Sequence, residues 1–65
     1  MVFYVVKCRQ GEDASIARRS SAAEALRVME LAAMQGWAVA EITRDRRVID
    51  EAALRQDAEQ ERIGA

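Results

Sequence analysis

Hydrophobic and polar positions along the chain fall into two different periods, and the change from one to the other divides the sequence into elements. From Val2 to Cys8, β-branched and aromatic residues follow one another almost unbroken, the pattern of a strand apolar on both faces and therefore central in its sheet. Lys7 orients this strand. Phe3, Val5 and Lys7 share one face, and Val2, Tyr4, Val6 and Cys8 share the other, the better core face. The polar run Arg9 to Asp13, with Gly11 inside it, predicts a hairpin turn. Ala14 to Arg19 returns as a weaker strand with Ile16 as its one large apolar residue, which suits an edge.

From Ser20 to Trp37 the period becomes helical. Ser21 followed by Glu24 fits a capping box, Gly36 supplies the stop, and Ala22, Ala25, Leu26, Met29, Ala32 and Ala33 recur on one face. A third strand follows from Trp37 to Thr43, with Ala38, Ala40 and Ile42 on one face and Trp37, Val39, Glu41 and Thr43 on the other. The segment Arg44 to Arg47 predicts a turn, Val48 and Ile49 a short fourth strand, and Asp50 a cap for a terminal helix from Glu51 to Arg62. That helix has only Leu54, Ala58 and Ile63 as a thin apolar stripe, so it is expected to be largely exposed or frayed. The organisation is one α+β domain over residues 1–50, followed by a polar C-terminal helix or frayed tail over 51–65. Hairpin proximity and a right-handed crossover give an antiparallel sheet of order 2-1-3, possibly 2-1-3-4, with the main helix on one face.

Composition sharpens this picture. A chain of 65 residues buries only about 60% of its unfolded surface, and much of its 51% hydrophobic content is alanine. Domains this small usually need a staple. Cys8 is the only cysteine, which excludes an internal disulfide, and there is no histidine to help it build a zinc site. Oligomerisation, most simply a homodimer, is the remaining staple. No metal or cofactor is expected, and without histidine or a phosphate loop the chain reads as non-enzymatic. Cys8 on the core face reads as a small hydrophobe. Net charge is −1, and no apolar run approaches the roughly 20 residues of a membrane span. The apolar start lacks a basic flank and is interrupted by Lys7, so it does not read as a signal peptide. A cytoplasmic location without membrane contact is expected. Arginine outnumbers the single Lys7 among the ten basic residues, a usage expected of a GC-rich bacterial genome.

Two surfaces carry candidate function. The first is apolar and expects a protein partner. Val28, Leu31 and Met34 lie off the core stripe of the main helix, and Phe3, Val5, Trp37 and Val39 are expected on the sheet face away from it, which is more apolar area than a small monomer normally exposes. The second is basic. Arg18 and Arg19, the start of the main helix, and Arg44, Arg46 and Arg47 in the later turn fall at one end of the expected topology. A helix N-terminus with arginines is a phosphate-binding combination, which makes a nucleic-acid or phosphate-binding module the alternative. Glu24, Asp45 and Asp50 oppose it as neutralising neighbours, and no aromatic is placed for base stacking.

Overall fold

The computed structural model describes residues 2–64, and in these the polypeptide forms β1 (Tyr4–Gln10), β2 (Asp13–Arg19), α1 (Ala22–Met34), β3 (Ala38–Arg44), β4 (Arg47–Ile49) and α2 (Glu51–Gly64). The strands make one antiparallel sheet of order β2-β1-β3-β4. This is the α+β topology expected from the pattern, with the fourth strand present. Met1 and Ala65, the outermost residues of the 1–50 and 51–65 segments, lie outside the described residues.

Two-residue turns fix the register of both hairpins. Gln10 pairs with Asp13, so Gly11 and Glu12 alone form the first turn and the strands run further into the polar RQGED segment than its composition predicts. Gly11 takes a φ of +61° at the first central position, a place where a side chain is strained. In the second hairpin Arg44 pairs with Arg47, and Asp45 and Arg46 both adopt left-handed backbone, with φ of 49° and 72°. Such a pair gives the turn the twist that antiparallel strands require. Asp45 also ties down the entry to β1: its Oδ1 accepts from the Phe3 N–H at 3.0 Å, and its own N–H donates to the Phe3 carbonyl at 3.0 Å.

The ends of α1 follow the sequence signals closely. Ser21 Oγ accepts from the Glu24 N–H at 3.2 Å. At the other end Trp37 N–H donates to the Ala32 carbonyl and Gly36 N–H to the Ala33 carbonyl, with Gly36 at a φ of +83°. These two bonds are the Schellman closure, and they require the left-handed residue that glycine supplies. Between its caps α1 buries Ala22, Ala25 and Met29 against Tyr4, Val6 and Cys8 of β1 and Ile42 of β3. Alanine at the contact lets the helix backbone approach the sheet closely.

One facing differs from the simple alternation. Lys7 pairs with Glu41, but Cys8 pairs with Val39, so Ala40 is an extra residue and β3 carries a bulge. Cross-strand partners point to the same side of a sheet. Val39 therefore joins Cys8 on the helix side, and Trp37 packs against the core instead of turning to the opposite face. The expected placement of Trp37 and Val39 on the face away from α1 is thus corrected, because the strand's alternation restarts at Ala40.

The C-terminal segment forms a helix that packs against α1. Asp50 caps it, with Oδ1 accepting from the Ala53 N–H at 2.7 Å. Leu54 is fully buried in the common core and Ala58 packs against its margin, whereas Ile63 remains exposed. The thin stripe supplies one true anchor.

Candidate functional site

The helix-free face of the sheet is built by the residues that alternate with the core. Pairing places Arg18, Val5, Thr43 and Val48 in one row across all four strands, and Ile16, Lys7 and Glu41 in the next. Phe3 precedes them on β1's side, and the Arg18 guanidinium lies 4.5 Å from the centre of its ring, within cation–π range. Lys7 Nζ and Glu41 Oε2 form an ion pair at 3.1 Å. With both side chains partly exposed, that pair contributes little energy but keeps the centre of the face neutral. Ile16 and Val48, each 68% exposed, stand on either side of it. The outer face is therefore mixed, apolar at Phe3, Val5, Ile16 and Val48, neutralised at Lys7 and Glu41, and basic at Arg9 and Arg18, with no helix over it among the described residues.

The seven residues expected at a protein interface divide among three places. Phe3 and Val5 lie on the outer face as expected. Trp37 and Val39 lie on the helix side, Val39 beside Met29. Val28 packs partly against the core, while Leu31 and Met34 stay exposed along a shallow groove between α1 and α2 that also holds Leu26 and Ala58. Ile16 and Val48 were not among the expected interface residues. The sequence held a signal for Ile16: a turn confined to Gly11 and Glu12 sets it opposite Lys7, on the outer face.

The arginines separate in the same manner. Arg19, Tyr4, Arg44 and Arg47 form a row on the helix side, whereas Arg18 and Arg46 border the outer face. Arg44 is engaged internally, its Nη1 donating to Asp57 Oδ2 at 2.6 Å, and this contact holds its guanidinium in the charged form. The same Asp57 oxygen accepts from the Tyr4 hydroxyl at 3.0 Å. Burial, and then the adjacent carboxylate, push the Tyr4 phenol up to about 12. The start of α1 is also occupied. Glu61 of α2 accepts from the Ala22 N–H at 2.6 Å and from the Ala23 N–H at 3.1 Å, so one carboxylate holds two of the free amides on which a phosphate would have drawn. Cys8 is buried beneath α1, and burial pushes its thiol up, away from the reactive thiolate.

No helix among the described residues is long and apolar enough to cross a membrane. Compared with family models, curated proteins and solved structures, the chain matches none of them.

Proposed function

We propose that this chain is a protein-interaction module without catalytic activity of its own, and that it works as a homodimer presenting the outer face of its sheet. The observation that carries this reading is the uncovered face itself, where Ile16 and Val48 are two-thirds exposed beside Phe3 and Val5. A sheet face that no helix covers among the described residues and that keeps large apolar residues exposed suits an association surface. The size of the chain supports the same reading, since oligomerisation is one of the usual ways a domain of 65 residues is stabilised. Light scattering across a dilution series, at low and high salt, tests it. The expected result is a mass of twice 7.3 kDa that persists at high salt. A monomer at every concentration and salt overturns the reading.

A further inference from the structure

The two edges of the sheet are not equivalent, and the difference indicates how two copies join. At one edge β4 is three residues long and leads directly into the Asp50 cap of α2. Short edge strands are a common protection against unwanted pairing. At the other edge β2 is seven residues long, with β1 as its one strand neighbour. It has no proline, and its pairing with β1 runs without a register shift. Its middle is Ala14, Ser15, Ile16 and Ala17, small or apolar, the first three exposed and Ala17 half-buried.

The main-chain groups on this edge are also set out for pairing. A two-residue hairpin closes with a hydrogen bond between its flanking residues, here Gln10 and Asp13. Bonded and non-bonded pairs then alternate along the ladder, so Asp13, Ser15, Ala17 and Arg19 are directed to β1 and Ala14, Ile16 and Arg18 outward. One contact reflects this directly. The Arg18 carbonyl, on the free edge, accepts from the Arg19 guanidinium of its own chain at 2.7 Å.

We infer that β2 pairs antiparallel with β2 of a second copy about a two-fold axis at Ile16, joining two four-stranded sheets into one eight-stranded sheet. This rests on the homodimer proposed above and specifies its contact. Charge complementarity selects both partner and direction, because β2 begins with Asp13, just after Glu12, and ends with Arg18 and Arg19. Antiparallel self-pairing sets Asp13 opposite Arg19 of the partner subunit at both ends, while parallel pairing sets like charges together. The same register puts Ala14 opposite the partner's Arg18, Ser15 opposite the partner's Ala17, and Ile16 opposite the partner's Ile16. It aligns the outward-directed residues of the two edges, giving about six main-chain hydrogen bonds. It also shelters Ile16 and leaves the two outer faces as one continuous surface. A shift of two residues toward the C-terminus keeps the facing but loses every charge pair, and a shift of two toward the N-terminus replaces the Asp13–Arg19 pairs, which lie within the strands, by Glu12 of the turn opposite the partner's Arg18.

The test is the dimer dissociation constant of four variants, with circular dichroism to verify folding. Ile16→Lys places two ammonium groups together at the axis and is expected to weaken the dimer by about 100-fold or more. Val48→Glu, on the outer face at the far edge, is expected to leave it within about threefold. Asp13→Arg is expected to weaken it about tenfold, and Asp13→Arg combined with Arg19→Asp to restore it. Within one chain these two residues are about 20 Å apart along the strand, so the rescue has to come from across the interface. In the wild-type dimer the Ala14, Ile16 and Arg18 amides are expected to be protected from exchange, and to lose protection on dilution. A dimer that resists Ile16→Lys but is dissociated by Val48→Glu overturns the edge pairing and leaves the homodimer standing. If the charge-reversed double variant stays as weak as Asp13→Arg alone, the register is wrong, and a wild-type monomer overturns both.

Discussion

α1 and α2 cover the same face of the sheet, but they are seated by different chemistry. α1 brings Ala22, Ala25 and Met29 to the buried core, whereas α2 brings Leu54 alone and completes its seat with Asp57 and Glu61. Leu54, Asp57 and Glu61 follow one another at helical spacing and form a single docking face, apolar at one end and acidic along the rest. Apolar burial is non-directional and tolerates sliding. Carboxylates aimed at a hydroxyl, a guanidinium and two amides do not. The comparison separates the two tasks: α1 supplies most of the helix side of the core, and α2 is placed in one register by polar contacts that span distant parts of the chain.

The severest test of this division is Leu54→Ala. Removing a fully buried leucine is expected to cost about 3 kcal/mol, much of the stability of so small a domain, measured by urea unfolding. If the loss is below about 1 kcal/mol, Leu54 is not the apolar anchor of α2. Asp57→Ala should cost about 1–3 kcal/mol, since it leaves the buried Tyr4 hydroxyl without its acceptor. Tyr4→Phe in that background should add less than it does alone, because the two substitutions remove the same bond.

Alkaline pH probes the same contact. The folded state holds the Tyr4 proton to about 12 against an ordinary value of 10.0, so its contribution to stability is complete below pH 10 and is lost as pH rises toward 12. Tyr4→Phe should flatten that part of the stability–pH curve, and an unchanged slope would assign the loss to other groups. The smallest effect is expected from Glu61→Ala, about 1 kcal/mol, the usual value of a helix cap. Thermal unfolding measures it, and no change would show that water replaces the carboxylate without loss.

How far these features are legible in the sequence depends on whether their signals are local. Ser21 with Glu24, Gly36 after the last helical turn, Gly11 between two strands and Asp50 before α2 each act within a few residues, and each element starts or stops where they stand. The strand order followed from the apolar character of β1 and the proximity of the hairpin. The docking of α2 was not legible. Asp57 and Glu61 look like solvated charges on a polar helix, and their partners at Tyr4, Arg44, Ala22 and Ala23 are known only once the sheet is assembled. The expected arginine end divides between the two faces of the sheet, and the carboxylate that occupies the start of α1 lies 39 residues away from Ala22. Ile16 was visible as the large residue of a weak strand, and its face depended on a turn one step tighter than its composition implied.

The bulge in β3 gives the strand something like a reading frame of two. Counting back from Ile42, every second residue would face α1, and that count places Ala40 and Ala38 inward; inserting Ala40 without a partner shifts the frame, so that Val39 and Trp37 are read on the inner side instead. Ala40 is therefore the dispensable letter. Its deletion leaves Glu41 opposite Lys7 and Val39 opposite Cys8, restores an unbroken ladder and changes the face of no other side chain. Deleting any neighbouring residue that has a partner removes a paired side chain from the ladder.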